Sequence, residues 1–454
     1  CGGNLCQTLE AIGGAADHLD QYDHRYGLSG RCVTKPVGPL VSITHKKTMN
    51  QTHHRHKRKK SKRSNAPEIL AAVVKTVEMG FSVWVKGTAW ENPFDKVWFL
   101  RFAPDGRLTG IVSDTGQWTL AVDGESWEEK FDYLWDTQFS PNGKSITCAA
   151  QNGMQYLLVN NGTPWPTAFA NMGHTAVSPD GSRTAAVVQT EGFKEAEIFK
   201  FQEGCFSVAV DGQAWGRNFV NAWGLTFSPD NQRVATEVRV NLYDYTIAVD
   251  GQPWPTTFPS VWKPSFNPTN GSVVAPAKTP GGWTMVSDGQ PLWNGRYAQL
   301  WHQMYSPDGN HLAAIVAPKY GHWTMAVDDK PWARTFDDFV TDASFSPDSN
   351  RVACIGVTNK RHHICVDGQA WSEGYDMVWA PVFSPDSQHV AAKVEKDGQF
   401  TLVMDGKPLK NTYTKVWDPV FSPDSQHVLL RALEGSGSDT IYTRSVLPLN
   451  KFLG

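Results

Sequence analysis

A Ser-Pro-Asp-like turn recurs nine times along the chain, with its proline at Pro104, Pro141, Pro179, Pro229, Pro268, Pro307, Pro347, Pro385 and Pro423. The intervals are 37, 38, 50, 39, 39, 40, 38 and 38 residues. A second turn, most often Val-Asp-Gly, keeps the same period at Gly87, Gly124, Gly162, Gly212, Gly251, Gly289, Asp329, Gly368 and Gly406. This self-similarity constrains the fold more than any local propensity. A unit of about 38 residues buries little of its own apolar face, so neighbouring units must cover one another.

Each unit reads as four short strands. After Pro104, "RLTGIVSD" and "GQWTLAV" alternate back on each other, "SWEEKFDYLW" carries aromatic residues, and "TQFSP" runs into the next turn. Asp-Gly suits a tight turn that needs positive φ. Ser-Pro-Asp supplies a fixed φ and a short side chain able to bond the backbone that follows. The four-residue aromatic spacing fits a helix face or one face of a strand. Prolines in "PWPTTFP" and "TPWPTAF" favour a strand or extended loop.

All 19 tryptophans obey the period. One column stands three residues past the second turn: Trp90, Trp127, Trp165, Trp215, Trp254, Trp332 and Trp371, with Trp293 one place late and Leu409 substituting. Another stands six residues before the proline: Trp98, Trp135, Trp223, Trp262, Trp301, Trp379 and Trp417, with Gly173 and Thr341 as the exceptions. Four-strand units at this period describe a β-propeller, in which sheets pack face to face and each gap needs bulk. One buried Trp or Phe removes about 150–250 Å² from water. The columns are therefore expected to be core, not a ligand cage or an electron wire. The expected fold is all-β: a β-propeller of eight or nine four-stranded blades over residues 67–450, behind a disordered basic tail, residues 1–66. Strands from the N-terminus are expected to complete the C-terminal blade.

The "FSPD" stretches at Phe227–Asp230, Phe345–Asp348, Phe383–Asp386 and Phe421–Asp424, each followed by an apolar strand, resemble the WD40-like Pro-Asp repeats of TolB-type propellers. The resemblance covers roughly residues 78–446. It departs from true WD40 repeats, whose Gly-His pair and closing Trp-Asp do not recur here, and the Val-Asp-Gly-x-x-Trp spacing is not general to TolB-type repeats. With its tryptophan content and repeat style, the chain also looks like the tryptophan-rich subunits of the Tmc transmembrane electron-transfer complexes of sulfate-reducing bacteria. That resemblance implies a non-catalytic accessory subunit without cofactors of its own. Its implied partners are other protein subunits bearing Fe–S clusters or cytochromes, met at the inner face of a membrane.

Charge and cysteine usage bound the alternatives. Residues 45–63 hold nine Lys/Arg and no acid. Without that run the chain has 33 basic and 45 acidic residues, net −12, a poor match for a phosphate backbone, so no nucleic acid is expected. The run itself reads as a solvated segment or a contact for anionic lipid, nucleic acid or an acidic partner. Of the seven cysteines, Cys148, Cys205, Cys354 and Cys365 fall inside strand-like runs and read as buried thiols of a reducing compartment, the cytoplasm. Cys1, Cys6 and Cys32 are one short of a usual Fe–S set. The start at Cys1-Gly-Gly fits a mature TolB-like periplasmic lipoprotein as well as a fragment or a mis-called start; no visible signal peptide accompanies it, which favours the fragment or mis-called start. No apolar stretch is long enough to span a membrane.

No motif for a nucleophile elbow, nucleotide loop or His-Glu-x-x-His site occurs. His311, His389 and His427 repeat at equivalent strand starts and belong to the scaffold, and His362-His363 reads as a surface pair. The clearest departure is the insertion "TEGFKEAEIFKFQEGCF" (190–206), with Phe193, Ile198, Phe199 and Phe201 among charges. It reads as a long hairpin or as a docking loop for a partner. Gly173 and Thr341 mark expected notches. The function expected is a non-enzymatic interaction platform; the alternative is a propeller hydrolase or lyase with its site in the central channel.

Overall fold

The strand after each Ser-Pro-Asp turn is apolar at almost every position, and almost every position is buried, as in Leu108–Asp114 and Ile146–Asn152. Burial on both faces requires a layer on either side of the sheet. The computed structural model describes residues 71–76, 80–85, 88–192, 197–435 and 440–453. The chain divides into two units, Cys1–Lys62 and Arg63–Gly454, and every described residue belongs to the second. The expected tail, 1–66, lies outside the described residues.

The described residues build ten antiparallel sheets, numbered I to X in chain order, the blades of a β-propeller. Sheet II shows the plan: strands a (Lys96–Phe102), b (Leu108–Asp114), c (Gln117–Val122) and d (Glu125–Ser126) lie in that order. Sheets III to IX repeat it over residues 133–164, 171–214, 221–253, 265–291, 299–331, 339–370 and 377–408. The a strands touch from sheet to sheet (171–177 meets both 133–139 and 221–227), so a is the inner edge. The eight complete blades, II to IX, match the expected number.

The ends do not merge into a ninth blade. Sheet I holds Ala71–Thr76, Gly80–Val85 and Thr88–Ala89, the equivalents of b, c and d. Sheet X holds a split inner strand (Lys415–Val416 and Val420–Phe421), b (His427–Glu434) and c (Ile441–Pro448). Both already contain the b–c hairpin, so neither offers the slot that the other would fill. Trp84 of sheet I and Val446 of sheet X are exposed, whereas the matching positions of strand c in other sheets, such as Ala121 and Val366, are buried.

Both repeated turns are stitched by their own side chains. In each Asp-Gly turn both central residues have positive φ, as at Asp367 (50°... 81° at Gly368), the geometry a two-residue hairpin favours. The Asp367 carboxylate accepts from Val352 N at 2.8 Å and pairs with Arg351 Nε at 2.9 Å. In the Ser-Pro-Asp turn, Ser346 Oγ donates to Asp348 at 2.5 Å and accepts from Arg351 N at 3.0 Å. Asp348 N then donates to Ser387 Oγ of the next blade at 3.0 Å. The hydrogen bond from Ser346, with those from Asn350, holds the Asp348 carboxyl down at about 2.

The aromatic segment is extended, as expected, but it is two elements. Strand d (Glu125–Ser126) ends just before its first tryptophan; the chain then crosses to the next sheet, and the last tryptophan lies on that sheet's a strand, as Trp135 does on Tyr133–Phe139. The first tryptophan packs on the next sheet's Asp-Gly turn. A Cβ added at Gly124, Gly162, Gly251 or Gly368 would sit 3.0–3.3 Å from Trp90, Trp127, Trp215 or Trp332. Between the two tryptophans, an aromatic such as Phe131 bridges back to the start of c, exchanging hydrogen bonds of 2.7 and 2.8 Å with Trp118. The four-residue beat thus serves three separate places in the core.

Most a strands carry a bulge beside the second tryptophan, with positive φ at Phe99, Asp136, His174, Gly224, His302 and Asp342. In sheets VI, IX and X a proline follows two residues after it (Pro264, Pro381, Pro419) and a is shortened or split instead. Proline withholds a ladder N–H and keeps the residue before it extended, so the left-handed bulge is not available there.

Candidate functional site

Within each sheet the second-column tryptophan meets an aromatic on strand c: Trp98 with Trp118 at 4.3 Å, Trp135 with Tyr156 at 6.1 Å, Trp223 with Tyr245 at 6.2 Å and Trp262 with Trp283 at 5.4 Å. Trp301 with Trp323, Trp379 with Phe400 and Trp417 with Tyr442 follow the same rule. In the first column Trp90, Trp165 and Trp254 are buried, and Trp127, Trp215, Trp332 and Trp371 are half-buried. Apart from Trp84 and Trp98, the tryptophans are packing.

The expected notches are filled. In sheet VIII, Thr341 vacates the slot and Phe339 lies against His362, edge to face at 6.1 Å. In sheet IV, Gly173 vacates it and the strand-c aromatic, Phe206, meets Phe201 of the insertion at 6.4 Å, also edge to face. The insertion is not a plain hairpin: Ile198–Glu203 forms a short helix, α1. Gly204 turns the chain back into the sheet at φ 103°, where a Cβ would meet the Phe219 backbone at 2.9 Å. Of the four proposed docking residues, Phe193 lies outside the described residues and Ile198 opens α1. Phe201 is half-buried with its ring against Phe206, and Phe199 stands 72% exposed.

Phe199 has company that the insertion alone does not reveal. Across sheets III to IX the exposed large apolar side chains are Tyr133, Met154, Phe199, Leu242, Tyr243, Leu292, Tyr320, Phe339 and Met377. Met154, Phe199, Leu242, Tyr243 and Tyr320 lie in b–c connections, and Tyr133, Phe339 and Met377 open a strands that pair with the end of b beside that connection. Only Leu292 falls elsewhere. The opposite end of the same blades is the Ser-Pro-Asp and Asp-Gly network, polar throughout. Six of the seven blades III to IX are therefore two-ended, with a polar end closed by its own hydrogen bonds and an end carrying exposed apolar groups; sheet VI is the exception. Exposed apolar residues gathered on one surface mark an interaction site more specifically than the same residues scattered.

The inner strands carry polar groups of their own. Thr175 Oγ1 donates to Asp136 Oδ2 at 2.6 Å, and Gln138 Nε2 donates to both, at 3.0 Å and 2.6 Å. His174 sits beside them with its pKa lowered by burial and partly restored by Asp136. On strand b of sheet V, Glu237 stands opposite Trp223, in space left by Gly224 and near Lys263. Burial pushes its carboxyl up to about 8 against the pull of Lys263. In sheet IX the matching residue is Lys393, paired with Asp418 at 2.7 Å and lying 4.3 Å from the Trp379 ring.

The histidines and cysteines add scaffold, not a centre. His311 and His389 bond Asp328 and Asp405, each at 2.7 Å, at the strand-b starts where they were expected. His362, expected at the surface, is half-buried; burial lowers its pKa and Nδ1 has no hydrogen-bond partner among the described residues. Cys148, Cys205, Cys354 and Cys365 are buried free thiols, with Cys354 and Cys365 opposite each other in sheet VIII. Among the described residues no three His, Cys, Asp or Glu side chains are grouped to hold a metal ion, and no helix is long and apolar enough to cross a membrane. Cys1, Cys6, Cys32 and the basic run lie outside the described residues.

Neither the family models nor the curated proteins contain a match to this chain. Solved structures do match it. One, described as the crystal structure of the eukaryotic initiation factor, is 14% identical, with a TM-score of 0.43, over 75% of this chain and 96% of that one.

Proposed function

We propose that this chain is a non-catalytic β-propeller platform that docks other protein subunits on the b–c ends of its blades. The observation that carries the reading is the two-ended blade. In sheets III to IX, Phe199, Tyr243, Tyr320 and Met154 stand 72–83% exposed at one end, while the other end closes its polar groups on itself. Likeness to the tryptophan-rich Tmc subunits suggests the partner class, Fe–S or cytochrome subunits of a membrane-associated redox complex at its cytoplasmic face. In that role the electrons travel through the partners' cofactors, and the indoles hold the blades rigid. The net −12 of the chain outside residues 45–63 argues against nucleic acid as the docked partner.

The Asp136–Thr175–Gln138 network beside His174 favours a second reading, a hydrolase or lyase working at the inner strands. The two separate cleanly. Native protein carrying a tag is purified from gently solubilised membranes, and its companions are identified by mass spectrometry. Stoichiometric capture of redox subunits supports the platform. Isolation as a lone protein whose hydrolase activity disappears in Asp136→Asn removes it in favour of the second reading.

A further inference from the structure

The b–c turns of sheets VI and VII flank a cleft of about 450 Å³ whose lining includes Lys278, Arg296, Lys319, Tyr297, Tyr320 and Gly282. Three cationic residues line it, Lys278, Arg296 and Lys319, and among the described residues none of the three forms an ion pair. Lys278 Nζ lies 5.8 Å from the Trp283 ring. Arg296 uses one terminal nitrogen to bond the carbonyl oxygens of Trp293, Asn294 and Gly295 at 2.9–3.1 Å, which fixes the guanidinium while leaving its other N–H groups free of described partners. The carboxylate behind the cleft, Asp329, is already engaged: it accepts from Asn294 N, Gly295 N and the Tyr297 hydroxyl. Tyr320, at the tip of the sheet VII turn, is 74% exposed.

Uncompensated cations are out of character for a chain that is acidic outside residues 45–63. Three positive charges around one cleft call for about two negative ones; a phosphate monoester carries about −1.5 to −2 near neutral pH, whereas a carboxylate carries one. A fixed guanidinium beside two ammonium groups also matches phosphoryl oxygens, Arg by its planar fork and Lys as a point charge. The Tyr320 ring gives the organic remainder of a ligand an apolar face. We propose that the cleft between sheets VI and VII is a binding site for a phosphate monoester, with Lys278, Arg296 and Lys319 holding the phosphoryl group. The site stands whether or not the b–c ends dock a protein.

Two sources share this chemistry, a soluble phosphate compound and a lipid headgroup, and two arms separate them. Full-length protein is titrated calorimetrically with a soluble phosphate monoester, phenyl phosphate, and co-sedimented with phosphatidylcholine vesicles doped with phosphatidic acid. Saturable binding in either arm is expected, weakened on the order of tenfold by Lys319→Glu and by Lys278→Gln, and unchanged by Lys144→Glu at the opposite end of the blades. Lys319 and Lys144 are both exposed, so neither change threatens the fold. Binding of phenyl phosphate assigns a soluble ligand; binding of vesicles alone assigns a headgroup. Absence of binding in both arms overturns the site. So does binding that Lys319→Glu and Lys144→Glu affect equally, because the anion then sits elsewhere, as on the basic run.

Discussion

Glu237 shows what one residue reveals when it breaks a repeat. The position opposite the second-column residue on strand b is Ile111, Ala149, Val187, Ile315 or Ile355 in other sheets, all apolar. Lys393 also breaks the rule, but it has a carboxylate and an indole face for company. The Glu237 carboxyl has the attraction of Lys263 and no hydrogen bond of its own among the described residues, so its ionised form is penalised. The sign follows from linkage. Folding raises this carboxyl from 4.5 to about 8, so the folded chain keeps a proton that the unfolded chain gives up in that window. Stability therefore falls as pH climbs from about 4.5 to about 8 and is flat in this respect outside it. Glu237→Gln should remove that slope, matching the parent at pH 4 and exceeding it at pH 8 by on the order of 4 kcal/mol at most. Thermal midpoints of both proteins across the window check this; parallel curves would mean that the carboxyl is not held neutral.

At the scale of elements, departures from the repeat come in coupled pairs. The missing tryptophan at Gly173 and the insertion both belong to sheet IV, and Phe201 of α1 covers the Phe206 ring that a second-column tryptophan covers elsewhere. A Cβ at Gly173 meets nothing within 4 Å, so the backbone there has room to begin a side chain once Phe201 is gone. Phe201→Ala should cost about 2 kcal/mol, and adding Gly173→Trp should return most of it, measured by urea unfolding. No recovery in the double variant would show that α1 holds the sheet by some other contact. The second pair joins the late Trp293 to Asp329, which stands where the other blades have Gly. Asp329 accepts φ 63° and in exchange bonds Asn294 N, Gly295 N and Tyr297. Restoring the repeat with Asp329→Gly should therefore destabilise the protein, by about 1–2 kcal/mol in the same assay, because the lost hydrogen bonds outweigh the relief at φ. The turns, the two apolar strands and the aromatic columns were legible from period and chemistry alone. These couplings were not, because a pattern read along the chain shows that a residue is missing but not which side chain moves in to replace it. For the same reason the crossing from d to a read as one strand: it keeps the alternation of a strand while changing sheets.

The whole molecule adds the distinction between two ends, and here the sequence misled by its loudest signal. Length singled out the insertion, yet Tyr243, Tyr320 and Met154 sit in b–c connections of ordinary length and go unnoticed until the strands fix which turns share an end. The available clue was that these turns repeat without repeating their residues, whereas the Ser-Pro-Asp and Asp-Gly turns keep theirs. Side chains held by local hydrogen bonds are dictated by the turn; side chains that touch nothing in their own chain are free to be chosen by a partner. That contrast gives a test at the scale of the platform. Replacing Phe199 and Tyr243 together by Ser removes two large apolar surfaces that contribute little to the fold, so the unfolding midpoint should hold within about 0.5 kcal/mol. If these rings anchor a docked subunit, each is a candidate for the few residues that dominate an interface, and their joint loss should weaken association by about 2 kcal/mol or more. Capture of partner subunits from solubilised membranes should then fall sharply with the double variant. It should persist when Ser346 and Asp348 are changed at the other end, although that protein melts earlier. The reverse outcome, capture lost with the turn variant while the fold survives and kept with the apolar one, would move the docking surface to the Ser-Pro-Asp end and leave the exposed rings without a role.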